Sequence, residues 1–134
     1  MNILFICRGN VGRSQAAMSF YNQFGVGHAD SAGTLLKYPD LRLADNGVAD
    51  NVIDAMAEYG IDVSNNVPTQ VKEEQLNDYD QIIVMAEPET IPKWLKGDPK
   101  TVLWDIPDVK GEDIDTTRKI FEEIKKRVNS LQKF

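Results

Sequence analysis

Short apolar runs alternate with longer segments of helical periodicity along this chain. Four short runs are predicted to be strands, at Asn2–Cys7, 29–32, 81–85 and 101–104, and the first and third have the apolar character of strands buried on both faces of a parallel sheet. Three longer segments show helical character, and the clearest apolar stripe repeats every three to four residues in the last of them. They predict helices over 13–24, 45–59 and 113–132.

Smaller signals complete the predicted architecture. Short helical turns are expected over 72–76 and 90–95, and 35–43 is expected to be a loop. The alternation of strands and helices favours an α/β fold with an open, four-stranded parallel sheet flanked by helices. A chain of 134 residues without repeats or linkers is expected to form one domain over 1–134. Ligands bind such sheets at the carboxyl ends of the strands, where Cys7 lies.

Composition narrows the classes of partner. The chain has 15 Lys and Arg against 21 Asp and Glu, a net charge of −6, which argues against binding to nucleic acid or to anionic membranes. Its single cysteine can form neither an internal disulfide nor a cysteine-based metal cage. The apolar start is too short to span a membrane. We therefore expect a cytoplasmic monomer that uses no metal or cofactor.

The segment that follows the first strand carries the strongest chemical signal. It reads Cys7-Arg8-Gly9-Asn10-Val11-Gly12-Arg13-Ser14. Two glycines and an asparagine can adopt backbone conformations that most residues avoid, so the loop can turn its N–H groups inward. The following helix adds unpaired N–H groups and the positive end of its dipole. The segment predicts a phosphate-binding loop after the first strand.

Each residue of this loop has an expected role. The planar guanidinium of Arg13 matches two phosphate oxygens. Inward N–H groups and this cation favour the thiolate of Cys7, which is then an activated nucleophile, and Ser14 can donate its hydroxyl to the sulfur. The remaining contacts to substrate are expected from Arg8, Gly9, Asn10, Val11, Gly12 and Ser14. Alternatively, Cys7 is a small buried apolar residue before an ordinary turn, but the full combination of residues favours catalysis.

Cys7-x5-Arg13-Ser14 behind the apolar strand resembles the low-molecular-weight protein tyrosine phosphatases. Segments 31–34, 59–64 and 79–85 are similar to further parts of that family, so the resemblance covers nearly the whole chain. It implies a four-stranded parallel sheet with flanking helices and hydrolysis of phosphate monoesters through a cysteinyl-phosphate. The expected partner is a phosphorylated protein, with phosphotyrosine as the reacting group, or a small phosphate ester.

The same resemblance implies a general acid late in the chain. The family uses an aspartate in an Asp-Pro segment, whereas the matching region here reads Trp-Asp-Ile-Pro-Asp-Val-Lys-Gly over 104–111. Asp108 fits best because Gly111 follows at nearly the family spacing, and Asp105 is the alternative. Val109 and Lys110 stand where the family often has two aromatic residues. Gly12 stands where many members have a second cysteine.

Other functions remain open from the sequence. Arsenate reductases have a similar fold and loop, but a chain with one cysteine needs an external thiol for that reaction. Cys7 could instead relay a phosphoryl group, as in phosphocarrier domains of sugar transport systems, or the loop could bind phosphate without catalysis. Tyr38, in the predicted loop, is either an aromatic wall of the site or a plain surface residue.

Overall fold

A four-stranded, all-parallel sheet forms the centre of the molecule. The computed structural model describes residues 1–131. The strands lie in the order β2-β1-β3-β4. Their bounds are β1 Asn2–Cys7, β2 His28–Gly33, β3 Gln81–Val84 and β4 Thr101–Leu103. The predicted fold class is confirmed, and each predicted strand is present within one residue at either end.

Both faces of the sheet are covered, because β1 and β3 are apolar at successive positions. On one face, Phe5 and its neighbours pack beneath α1 (Arg13–Phe24), α2 (Asp50–Ala57) and α4 (Ile114–Ser130). On the other face, Leu4 and Ile6 lie under shorter elements. These are the 3₁₀ turn Glu73–Asp78, the helix α3 (Lys93–Lys96) and Ile91, which follows the 3₁₀ turn Pro88–Thr90. The predicted apolar stripe of the last helix is buried in the first of these cores.

Two helix predictions were wrong in their bounds. The helix expected over 45–59 begins only at Asp50, after a separate 3₁₀ turn at Leu43–Asp45. Between them Gly47 adopts φ 76°, and Val48, which lies within the predicted helix, is 46% exposed. The turn expected over 90–95 is divided because Pro92 is extended, with ψ 155°. The predicted end of the last helix at Gln132 lies outside the described residues.

The strand order determines which loops meet. β1 lies between β2 and β3, so the segments that follow these three parallel strands emerge side by side at one edge. At the end of β2, a Cβ atom on Gly33 would lie 2.7 Å from the carbonyl oxygen of Arg8. Glycine is therefore needed here for the segment after β1 to pack against β2. Across residues 1–131, no helix combines the length and apolar character needed to span a membrane.

Candidate active site

The segment between β1 and α1, residues 7–14, is called here the phosphate loop. Its carbonyl groups are engaged by the protein: those of Cys7 and Arg8 accept hydrogen bonds from the amides of Thr34 and Leu35, each at 2.9 Å. By contrast, no backbone N–H of residues 8–12 has an acceptor within the described part of the chain. Backbone donors left without a protein acceptor are available to an anion.

Asn10 gives the loop its shape. It has φ 57°, whereas neither Gly9 nor Gly12 has a positive φ, so only one of the three residues expected to need unusual backbone angles has them. The buried Asn10 side chain accepts a hydrogen bond from the Thr69 amide at 2.9 Å and donates one to Ser14 at 2.7 Å. Because these groups occupy its side chain, any contact of Asn10 with substrate would come from its backbone.

Gly12 is required for space. A Cβ atom on this residue would lie 2.5 Å from Cγ2 of Val109, a distance at which one group must move. Val109 is only 8% exposed and forms part of the core, although the sequence placed it where the family has an aromatic residue at the mouth of the site. The volume next to Gly12 is therefore filled by a valine from the loop after β4.

Cys7 lies at the base of the loop with a hydrogen-bonding partner. Its Sγ is 3.0 Å from Oγ of Ser14, and both residues are almost fully buried. The Thr69 amide can only donate, so it fixes Oδ1 of Asn10 on its own side and turns Nδ2 towards Ser14. Ser14 accepts that bond and can give its own proton to sulfur. This arrangement is suited to holding a thiolate.

Arg13 is anchored from several directions. Its side chain is 2% exposed, and Nη1 and Nη2 each lie 3.0 Å from one carboxylate oxygen of Glu87. Nη1 also approaches the carbonyl oxygens of Met85 at 2.5 Å and Ile106 at 3.0 Å. These partners follow β3 and β4, so the guanidinium joins three loops at the carboxyl edge of the sheet.

The ion pair keeps both groups charged. Burial by itself would lower the pKa of Arg13, but hydrogen bonding to Glu87 and the nearby charges of Cys7 and Asp108 outweigh it and raise the pKa. The hydrogen bonds from Arg13 lower the pKa of Glu87 against the opposing effect of burial. Within the described residues, Nε of Arg13 has no acceptor. The edge formed by Nε and the outer N–H of Nη2 is thus available to a phosphoryl group.

Sequence reasoning missed Glu87. The usable signal was an acidic residue three positions after β3, the strand that pairs with β1. Its segment is braced from the neighbouring loop, since Thr34 donates to Thr90 at 2.9 Å and Thr90 donates to the Glu87 carbonyl at 2.8 Å. Glu87 is therefore held in place independently of Arg13.

The two candidate acids are placed differently. Asp108 lines the cleft above the phosphate loop, with Oδ2 3.8 Å from Nη2 of Arg13 and Oδ1 accepting from the Lys110 amide at 3.2 Å. Asp105 is exposed and lies outside the lining of that cleft. The structure thus brings Asp108, and not Asp105, together with Cys7 and Arg13.

A cleft of about 880 Å³ opens above Cys7 and Arg13. Its rim includes exposed apolar side chains from two loops, with Leu35 54% and Val48 46% exposed, and Tyr38 also lines it. Gly9, Val11 and Gly12 contribute to its lining, as does Arg8. This volume can accommodate a phosphoryl group next to Cys7 and Arg13 and an organic group beside the apolar side chains. Tyr38 therefore forms part of the site's wall.

Comparisons with known proteins agree with this geometry. The family model "Low molecular weight phosphotyrosine protein phosphatase" matches residues 2–133, and the chain belongs to that family, whose members are cysteine-dependent phosphatases and arsenate reductases. A curated relative is the glutaredoxin arsenate reductase of Synechocystis sp., 26% identical over 96% of this chain and 94% of that protein.

Solved structures share the fold. The low molecular weight protein tyrosine phosphatase from T. tengcongensis superposes with a TM-score of 0.81 at 24% identity, covering 98% of this chain and 97% of that one. The YwlE arginine phosphatase from Geobacillus stearothermophilus gives a TM-score of 0.78 at 21% identity, covering 97% of this chain and 89% of that one. At these identities the similarity establishes the fold alone.

Replacement of Glu87 by glutamine should test the anchoring of Arg13. We expect kcat to fall about 10- to 10²-fold, because a charge-assisted pair is lost and the guanidinium edge is no longer fixed. The free energy of unfolding should fall by about 1–3 kcal/mol. The lowered pKa of Glu87 means that this stability difference is present above the ordinary pKa of glutamate and disappears as the pH falls through the lowered value.

Steady-state kinetics and denaturant unfolding across a pH series measure both effects. Glu89→Gln is the matched control, because Glu89 lies in the 3₁₀ turn that directly follows Glu87 and makes no ion pair in the described part of the chain. Equal kinetics for wild type and Glu87→Gln would contradict the anchoring role.

Proposed function

We propose that this protein is a phosphatase that hydrolyses phosphate monoesters through a cysteinyl-phosphate, with phosphotyrosine as the reacting group. The observation that carries the proposal is the convergence of three features in one cleft. These are the Sγ of Cys7, the free amides of residues 8–12 and the unoccupied edge of Arg13, with Asp108 above them. Family membership supports the same chemistry.

The first step transfers the phosphoryl group to sulfur. The Cys7 thiolate attacks phosphorus and forms an S–P bond while the P–O bond to the leaving group breaks. Asp108, protonated at this stage, gives its proton to the departing oxygen. The loop amides and Arg13 stabilise the negative charge on the three equatorial oxygens in the transition state.

The second step regenerates the enzyme. Water attacks phosphorus, Asp108 now accepts a proton from it, and the S–P bond breaks to release inorganic phosphate and the thiolate. The hydroxyl of Ser14, 3.0 Å from Sγ, stabilises this thiolate as it leaves. Arg13 serves both steps because its anchoring partners do not have to move.

The rim of the cleft supports an aromatic leaving group. Leu35, Tyr38 and Val48 present apolar surface beside the position of the phosphoryl group, where an aryl ring would be partly desolvated. Arg8 adds a positive charge near the entrance.

We also propose that the protein acts as a cytoplasmic monomer, without metal or cofactor. The net charge of −6 supports a substrate other than nucleic acid or anionic membrane.

Arsenate reduction is a second candidate, favoured by curated relatives that carry that name at 26% identity. The Cys7 thiolate would attack arsenic and form an S–As bond while an As–O bond breaks, and the displaced oxygen would leave as water after protonation. An external thiol would then attack the Cys7 sulfur. Arsenic would then leave as arsenite with the S–As electron pair. A second external thiol would reduce the resulting mixed disulfide, so two thiols supply the two electrons. Cys7 is the chain's single cysteine, so both thiols must come from outside.

The acid is tested by varying the leaving group. Asp108→Asn should slow hydrolysis of phenyl phosphate on the order of 10²–10⁴-fold, because a poor leaving group needs protonation. The same variant should slow hydrolysis of 4-nitrophenyl phosphate much less. Asp105→Asn should show no dependence on the leaving group. The measurement is kcat/KM for both variants over aryl phosphates of rising leaving-group pKa; a steep dependence in Asp105→Asn alone would transfer the role to Asp105.

A substrate comparison separates the two candidate functions. We expect the wild type to hydrolyse phosphotyrosine peptides faster than alkyl phosphates, and arsenate to act as a competitive inhibitor without forming arsenite. The assay follows inorganic phosphate and arsenite in parallel, with glutathione and glutaredoxin supplied as external thiols. Cys7→Ser is the control for both reactions. Thiol-dependent arsenite formation at a rate exceeding peptide dephosphorylation would favour the reductase.

A further inference from the structure

We propose that Val109 is a positioning residue that seats Asp108 by packing against Gly12 of the phosphate loop. The inference rests on the proposed function, in which Asp108 is the general acid. In this proposal, the contact between a valine and a glycine holds the acid at the distance from Cys7 that the reaction requires. Neither residue has a side-chain group that could take part in proton transfer.

The contact itself is close and buried. Val109 is 8% exposed, whereas its neighbours Asp108 and Lys110 are exposed. Its Cγ2 fills the space that a Gly12 side chain would occupy, 2.5 Å from the position of a Cβ atom there. The same Cβ position lies 3.6 Å from Cγ2 of Val52 in α2. Val109 thus packs where the phosphate loop and α2 meet.

In the part of the chain that the structure describes, the hydrogen bonds that join the rest of the loop to other segments lie at its two ends. Residues 105–112 are called here the acid loop. Near its start, the Ile106 carbonyl accepts from Arg13 at 3.0 Å; at its end, the Glu112 carbonyl accepts from Asn51 at 2.9 Å. Between these points Val109 is the buried side chain adjacent to Asp108. Its packing therefore determines how far the Asp108 backbone lies above the phosphate loop.

This distance matters for catalysis because a general acid must lie within hydrogen-bonding reach of the leaving oxygen. A displacement of about 1 Å can cost on the order of 10²-fold in rate. Asp108 is 43% exposed and stands 3.8 Å from Arg13, so its own contacts hold it weakly. The seating of Val109 compensates for this weak attachment.

Truncation gives the first test. Val109→Ala should lower kcat/KM for phenyl phosphate about 10- to 10²-fold and leave kcat/KM for 4-nitrophenyl phosphate nearly unchanged. Because Val109 acts through Asp108, the truncation should have little further effect on phenyl phosphate in an Asp108→Asn background. Val109→Ile, which keeps the Cγ2 branch, should restore most of the activity.

A reciprocal pair sharpens the test. The methyl group of Gly12→Ala should displace Val109 and cause a similar selective loss with phenyl phosphate. In the double variant with Val109→Ala, the nearest atom of residue 109 to the new methyl is its Cβ, 3.9 Å away. The methyl then fills the space left by Cγ2. We expect the double variant to hydrolyse phenyl phosphate faster than Gly12→Ala alone.

Controls separate positioning from stability. Val128→Ala removes the same atoms from a fully buried valine in α4, so it should lower the melting temperature without changing the leaving-group dependence. Thermal unfolding and inhibition by inorganic phosphate report whether each variant is folded and keeps its phosphate loop.

The outcomes separate a wrong assignment of the acid from a wrong assignment of its positioning residue. If Asp108→Asn shows no leaving-group dependence, the proposed acid is wrong. If Asp108→Asn shows it but Val109→Ala slows both substrates equally, the acid stands and the positioning role is overturned. A double variant no faster than Gly12→Ala alone would also overturn that role, because it would mean that the two side chains do not compete for one space.

Discussion

A buried guanidinium constrains the whole carboxyl edge of the sheet. Removing a cation from water is costly unless charge and hydrogen bonds replace the lost hydration. Arg13 is 2% exposed, and Glu87 supplies the opposing charge while carbonyls after β3 and β4 accept further hydrogen bonds. Three loops must therefore converge on one side chain. Their convergence places Cys7, the amides of the phosphate loop and Asp108 around one cleft.

The protein itself supplies acceptors for only some of the hydrogen-bond donors around the cleft. Glu87 takes the end of the guanidinium, which leaves the edge at Nε, and the amides of residues 8–12 also lack acceptors in the part of the chain described. These donors are fixed before substrate arrives, since Asn10 and Ser14 hold the loop from behind. Donors held in this way stabilise developing charge without reorganising. The same preorganisation would serve phosphate or arsenate, so the reaction that follows depends on the acid and on external thiols.

Local signals made much of this structure predictable. The apolar run of β1 and the helix α1 lie where the sequence placed them, because a continuous apolar stretch and a glycine-rich turn are short-range features. The break at Gly47 and the exposure of Val48 depend on a backbone conformation that periodicity does not report. Glu87 was missed and the burial of Val109 was not foreseen, because both depend on contacts with residues 74 and 97 positions away. Such contacts can be recognised only once the order of the strands shows which loops lie side by side.

The central claim is that the Cys7 sulfur carries the phosphoryl group during turnover. Rapid acid quenching during hydrolysis of an aryl phosphate, followed by mass spectrometry of the proteolysed protein, tests it most directly. We expect one phosphoryl group on the peptide that contains Cys7, formed in a burst with release of the phenol, and greater accumulation in Asp108→Asn with a good leaving group. Steady turnover by a Cys7→Ala variant, or turnover by the wild type without any phosphorylated Cys7 peptide, would contradict the claim.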